Sequence, residues 1–353
     1  MSQILVLNLG STSSKVAIYT DAYCNYNETI RHDFEITSLN LIEQIKHRRF
    51  EIEHFVKKVA DVNFSDFDGI ACRGGLLKPI RGGVYTINET MYNDLRTFKY
   101  GNHASNLSGV IGYELSQDLQ IPVFTIDPVV VDELMDIARV TGIKGIKRRC
   151  IFHALNQKAV ASLYANTSNK TYKQVNVIVA HMGGGITVGA HKQGLVVDVN
   201  VGLLGEGPFS PERAGSIPND LLYEYGYKRN FTPQEMNHFL SKKGGFVNMF
   251  NTNDLKGLSH KYESDNDVKL AFDALAYQVA KAIGERAIVF KGNVDQVILT
   301  GGLSYNKTLT SLIQSYVDWI APVTIYPGEK EMDALATRTS LVLEGIESAK
   351  VYS

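Results

Sequence analysis

Cysteine is scarce in this chain: three residues in 353 (Cys24, Cys72 and Cys150), with no CxxC pair and no His/Cys cluster at metal-ligand spacing. An odd, scattered set argues against a disulfide framework and a structural zinc site, and fits a reducing cytoplasm. An excess of either charge is also missing, since 36 Lys and Arg face 37 Asp and Glu, well mixed, for a formal charge of −1. That leaves no electrostatic footprint for nucleic acid or an acidic membrane surface. No segment approaches the roughly 18 uninterrupted apolar residues of a membrane-spanning helix. The N-terminus, Met1 to Leu7, lacks the basic region and long apolar run of a secretory signal. A soluble cytoplasmic protein with no nucleic-acid or membrane partner is expected. Two nucleotide signatures are absent too: neither G-x-x-x-x-G-K-[ST] nor G-x-G-x-x-G occurs, which sets aside the P-loop and Rossmann readings.

What is present suffices for about two domains, with 44% hydrophobic residues and 30 glycines. Residues 3 to 9 form a short apolar run, residues 10 to 14 supply turn chemistry, and Val16 to Tyr19 resume the apolar run. The layout repeats at Val175 to Ala180, His181-Met182-Gly183-Gly184-Gly185, and Ile186 to Ala190. A third strand, Gln296 to Thr300, stops at Gly301-Gly302 before a helical stretch from Asn306 to Ile320. Helical patterns cover Glu89 to Leu119 with a break near Gly101, Pro128 to Val140, Ala154 to Ala165, Leu270 to Phe290 and Glu331 to Glu344. Gly202 to His260 reads as a loop-and-helix insertion. Strands alternating with helices predict an α/β fold, and two hairpin-first modules predict a duplicated, two-lobed body whose central cleft is the default site.

Asn8 to Lys15 packs four hydroxyls, a carboxamide and an ammonium into one tight turn. Such a turn can aim backbone N–H groups and hydroxyls at a phosphate, with Lys15 adding a point charge; it also reads as a Ser-rich hairpin turn. Gly183-Gly184-Gly185, beside His181, lets backbone amides approach an anion, and Gly301-Gly302 stands where a strand meets a helix. The three signals fall at the ends of inner strands.

These turns, with Phe152-His153, Arg73-Gly74-Gly75, Gly205 to Gly215 containing Pro211-Glu212-Arg213-Ala214-Gly215, and Tyr326-Pro327-Gly328-Glu329, resemble the acetate-kinase family, within the actin-like ATPase superfamily. The resemblance runs over essentially the whole chain. It implies the duplicated actin-like (ribonuclease H-like) fold. Residues 1–150 plus 327–353 would form a first lobe carrying the phosphate turn and acyl-acceptor side, and residues 151–326 a second lobe with the second phosphate loop and the adenosine site. The implied reaction is reversible transfer of the γ-phosphoryl group of ATP to butyrate or another short-chain acid, branched-chain acids and propionate included, giving an acyl phosphate and ADP. A homodimer or larger homo-oligomer is implied as well.

By that resemblance Arg73 and Arg213 hold the carboxylate and the transferring phosphoryl group, and His153 donates to the phosphoryl oxygens. Asn8, Ser11, Ser13, Lys15, His181, Gly183, Gly184, Gly185, Gly301, Gly302 and Asn306 bind phosphates and nucleotide. Phe152, Gly74 and Gly75 line the acyl pocket. Mg²⁺ is expected on Glu331, with Glu329 the competing choice, and Asp127 is implied as a catalytic residue that acts on Mg²⁺ or on the orientation of Arg and His. Asp127-Pro128 also reads as a helix start, with Asp as N-cap. An actin-like ATPase module without an acid substrate, and a sugar kinase using Asp127 as base, stay open. A carboxylate acceptor is already ionised at neutral pH, so it needs charge neutralisation and alignment rather than a base.

Overall fold

A computed structural model describes all 353 residues, which divide into two compact units, Met1–Val131 with Lys330–Ser353, and Asp132–Glu329. No helix is long and apolar enough to cross a membrane.

Unit 1 is built on a seven-stranded sheet: β1 (Gln3–Leu9), β2 (Ser13–Thr20), β3 (Tyr23–Arg31), β4 (Gly69–Arg73), β5 (Val84–Thr86), β6 (Val123–Ile126) and β12 (Lys350–Val351), in the order β12-β5-β6-β4-β1-β2-β3. β1, β2 and β3 form an antiparallel meander, whereas β4 runs parallel to β1 and β6 parallel to β4. Ile4, Leu5, Val6 and Leu7 of β1 are all buried. They form a continuous apolar run rather than an alternating one because helices Asn106–Leu119 and Glu331–Leu343 both pack against β1 and β4. The β3 strand is polar and mostly exposed, as suits a sheet edge.

Unit 2 repeats the plan with β7 (Asn176–Met182), β8 (Ile186–Lys192), β9 (Leu195–Val199), β10 (Gln296–Gly301) and β11 (Val323–Pro327) in the order β11-β10-β7-β8-β9. Again three strands form an antiparallel meander, and β10 pairs parallel to β7 and β11 parallel to β10. Helices Ala154–Thr167 and Asn266–Ala287 pack against β7. The expected duplication is therefore visible over five strands of each sheet, β5 and β12 of unit 1 having no counterpart. The insertion between residues 202 and 260 holds four short helices, Asn219–Lys228, Pro233–Lys242, Gly245–Phe250 and Leu255–Ser259.

Two sequence-based expectations differ from what is found. The chain leaves unit 1 at Val131, not near Cys150, and returns at Lys330 rather than at 327. Residues 132–150 are tied into unit 2 by the Glu133–Lys158 ion pair (3.0 Å), the Met135 amide on the Val197 carbonyl (2.9 Å) and Arg148 on Asp198 (2.9 Å). The expected helix Pro128 to Val140 is reduced to Asp136–Arg139. Val129-Val130-Val131 is a β-branched run that resists helix, and Val131 bridges Ile80 in extended pairing.

Asp127 consequently caps no helix. It adopts φ +39°, accepts the Gly83 N–H through Oδ1 at 2.7 Å, and pairs through Oδ2 with Arg338 of the last helix at 2.6 Å. Arg338 also pairs with Glu347. The carboxylate is thus a cross-brace inside unit 1. Asp127→Asn tolerates the left-handed backbone and keeps an acceptor for Gly83, so it isolates the charge. Because Arg338 is part-exposed and keeps Glu347, the expected loss in urea unfolding is about 1–3 kcal/mol; an unchanged midpoint would show that the pair does not brace the unit.

Candidate functional site

Each unit gathers buried polar groups at the ends of its inner strands. In unit 1, Asn8 near the end of β1 donates its Nδ2 to Glu331 Oε2 at 2.8 Å and accepts from Arg73 Nη1 through Oδ1 at 3.2 Å. Arg73 Nη1 lies 3.6 Å from the same Glu331 oxygen. Asn8 and Glu331 are buried, and Arg73 is part-exposed. Glu331 opens helix Glu331–Leu343, where the helix dipole favours a carboxylate. Both of its protein contacts fall on Oε2, which leaves Oε1 as a cation ligand. No group of three or more His, Cys, Asp or Glu is placed to cage a metal. One carboxylate suits Mg²⁺, which completes its shell with phosphate oxygens and water, so the residues fit that ion. Glu329, the competing choice, is exposed and belongs to unit 2.

The turn between β1 and β2 is closed by the Gly10 amide on the Ser13 carbonyl at 2.8 Å. Ser11 is exposed, Ser13 and Lys15 half-buried, and Ser14 fully buried. Gly74 and Gly75 leave no vacant room: a Cβ at Gly74 would collide with Pro128, and one at Gly75 would lie 2.6 Å from the Asn106 Cα. They permit close packing rather than opening a pocket.

In unit 2 the glycine turn joins β7 to β8. The rings of His153 and His181 stack at 3.8 Å with planes 7° apart. Phe152, just before His153, is buried. Arg213 lies across the turn: a side chain at Gly185 would collide with its guanidinium, and a Cβ at Gly202 would sit 3.8 Å from both Arg213 Nη1 and His153 Cε1. Arg213 Nη1 donates to the Gly202 carbonyl. Its loop is hooked to the glycine turn by Ser210, whose hydroxyl donates to Gly184 O at 2.6 Å and accepts the Arg213 amide at 3.1 Å. Burial lowers the Arg213 pKa, and its Nε is buried with no partner. An orphaned guanidinium N–H beside a glycine turn is chemistry suited to an anion.

Gly184 and Gly302 border open space. Gly301, at φ +91°, sits against the Met182 carbonyl where any side chain would clash. Asn306 is occupied as the N-cap of helix Lys307–Val317, accepting the Leu309 amide at 3.0 Å.

Two hydrogen-bond chains fix the histidine tautomers. Gln157 Nε2 donates to the Thr187 carbonyl (3.0 Å), which only accepts, and to Thr187 Oγ1 (2.7 Å). His153 Nδ1, 2.9 Å away, is the remaining partner of the buried Thr187 hydroxyl, and a proton donated there places the ring proton of a neutral His153 on Nε2. On its other side Gln157 Oε1 accepts from His191 Nε2 (3.0 Å), and His191 Nδ1 accepts from the Tyr172 hydroxyl (2.7 Å). Burial and Lys158 hold the His191 pKa well below its usual range, so that ring stays neutral. Likewise Thr300 Oγ1 donates to the Gly328 carbonyl (3.1 Å) and accepts from Asn156 Nδ2 (3.2 Å). The same Nδ2 donates to His181 Nδ1 (2.9 Å), so His181 also carries its proton on Nε2. Gly183 lies on that side, since a Cβ there would be 3.3 Å from His181 Nε2.

Sequence reasoning missed Thr187, Gln157, Asn156 and Thr300. Their role depends on register, β8 carrying Thr187 opposite His181 and β10 carrying Thr300 beside it. It also missed Arg48, buried beneath the unit 1 turn.

Comparison with known proteins follows the same lines. A family model described as the acetokinase family matches residues 137–317. Two curated relatives, each described as a probable butyrate kinase, from Clostridium botulinum strains Eklund 17B and Alaska E43, are each 46% identical over 353 residues, covering 99% of both chains. An acetate kinase from Porphyromonas gingivalis superposes with TM-score 0.79 at 15% identity, over 98% of this chain and 100% of that one. A propionate kinase from Francisella tularensis gives 0.74 at 18%, over 96% and 99%. At those identities the structural matches speak for the fold.

The tautomer assignment is testable by ¹⁵N NMR of histidine-labelled protein. His153 should show an unprotonated Nδ1 and protonated Nε2; Thr187→Val should release that preference and Thr187→Ser restore it. A protonated Nδ1 in the unaltered protein would contradict the chain.

Proposed function

The chain belongs to the acetokinase family, and from that premise we propose that it transfers the γ-phosphoryl group of ATP to butyrate, giving butyryl phosphate and ADP. Phosphotransfer to a carboxyl group is the activity of the family; the four-carbon acid is the reading favoured by two full-length relatives described as probable butyrate kinases. Free thiols at Cys24, Cys72 and Cys150 suit the cytoplasm as its setting.

The observation that carries the reading is Arg213, a half-buried guanidinium held by a carbonyl with its buried Nε unpartnered beside the glycine turn. An anionic acid attacking an anionic phosphate meets an electrostatic barrier, so catalysis rests on fixed positive charge and fixed donors. Arg213 supplies the charge at the transferring group. His153 and His181 supply N–H donors through Nε2, oriented by Thr187 and Asn156, and the Gly184 and Gly185 amides supply more, the Gly183 amide being taken by the Gly185 carbonyl. Arg73 holds the acid carboxylate. The turn at Ser11, Ser13 and Lys15 and the Gly301-Gly302 corner take nucleotide. Mg²⁺, held by Glu331, would supply charge neutralisation on the phosphate oxygens.

A hydroxyl acceptor would need a general base, and Asp127, the candidate named for it, is committed to Arg338 and Gly83. This weighs against a sugar kinase. An ATPase module without an acid substrate would turn over ATP with no acid present.

The test is hydroxamate trapping of acyl phosphate with Mg²⁺-ATP and acetate, propionate, butyrate, isobutyrate or valerate. Product should depend strictly on acid, with butyrate giving the highest kcat/KM. In the same assay Arg213→Ala should lower kcat by about 100-fold or more with nucleotide affinity nearly intact. ATP hydrolysis indifferent to any acid would overturn the proposal.

A further inference from the structure

Arg48 lies in helix Leu41–His54, capped by Asn40 through a capping box, and is completely buried. A guanidinium has five N–H donors, and here each is used. Nη1 donates to the Gly10 carbonyl (2.8 Å) and Ser14 Oγ (3.3 Å); Nη2 donates to the Ser11 carbonyl (3.0 Å) and Gln44 Oε1 (2.8 Å); Nε donates to Gln44 Oε1 (3.1 Å). Every acceptor is neutral, and no carboxylate pairs with it. Burial lowers its pKa only to about 10, so the side chain remains a cation at neutral pH. His32, which hydrogen-bonds Ser14 Oγ at 2.8 Å, is pushed down to about 4 by burial and by Arg48, and adds no charge.

A buried cation without a counter-ion is costly and is normally paired or expelled. This one is held under the turn between β1 and β2, gripping two consecutive carbonyls. We propose that Arg48 is a positioning residue for phosphate: it fixes the Gly10 and Ser11 peptides, and its unpaired charge finds its counter-ion in the phosphoryl group of the nucleotide bound at the turn. The field acts from within the protein, where solvent screens it little. The inference rests on the reading of this turn as a phosphate site and adds a residue that never touches the ligand.

Calorimetric titration of the full-length protein with Mg²⁺-ADP and with adenosine, which lacks phosphate, separates the possibilities. Gln44→Glu places a carboxylate against the guanidinium without removing the clamp, and Arg48→Met removes both charge and clamp. Both variants should bind ADP about tenfold or more weaker than the unaltered protein while adenosine affinity changes less than about twofold. Gln44→Glu keeps the test open if Arg48→Met fails to fold. Equal losses for ADP and adenosine would mean a merely structural residue, and unchanged ADP affinity in folded Gln44→Glu would overturn the proposal. If the unaltered protein itself bound ADP no better than adenosine, the phosphate reading of the turn would fall, and this inference with it.

Discussion

One buried hydrogen bond joins the two ends of the chain: Asn8, seven residues from the start, donates to Glu331, the first residue of the last long helix, across a sequence separation of 323. Unit 1 is completed only when that helix returns to cover β1 and β4, the face that Ile4 to Leu7 leave apolar. Hydrophobic burial drives the return, but it does not specify which residue meets Asn8. The polar contact sets that position, because a buried carboxylate left without a donor costs several times more than the bond returns. The same contact fixes Arg73 against both residues. Packing and polar site are therefore one arrangement in unit 1.

Charge is handled in a common way in both units. Arg48 under the unit 1 turn is buried, Arg213 across the unit 2 turn is half-buried with its Nε out of solvent, and both are held by carbonyl oxygens. Carbonyls satisfy the guanidinium N–H groups without cancelling the charge, whereas a carboxylate would cancel it. Elsewhere the buried or half-buried cations are paired conventionally: Lys158 with Glu133, Arg139 with Asp132, Arg148 with Asp198 and Glu206.

Much of this plan was legible in the chain because its signals are local. The glycine turns and the two hairpins around them need only a few neighbouring residues, and helix Glu331–Leu343 declares itself by its apolar face. Asp127-Pro128 misled because a good N-cap and N1 pair was followed by three valines that make a single turn, closed by the Val131 amide on the Pro128 carbonyl, after which Val131 pairs with Ile80. The helix Leu41–His54 escaped because its buried face includes Gln44 and Arg48 among apolar Ile45 and Ile52. A polar pair spaced i, i+4 on an otherwise apolar stripe was the available signal. Gly74 and Gly75 suggested an empty pocket, since a sequence cannot reveal that Pro128 and Asn106 fill the space. The tautomer chains through Thr187 and Thr300 depend on strand register across distant segments, which no local pattern encodes.

The central claim is that polar groups at the inner strand ends are held for phosphate and its cation rather than for each other. Glu331→Gln tests it most directly, because glutamine keeps an acceptor for Asn8 while removing the charge offered through Oε1. ADP affinity should be measured with and without Mg²⁺ in both proteins. The account predicts that Mg²⁺ tightens ADP binding in the unaltered protein and that the variant, still folded and still binding ADP in chelator, loses that enhancement. An Mg²⁺ enhancement of unchanged size in the folded variant would contradict it.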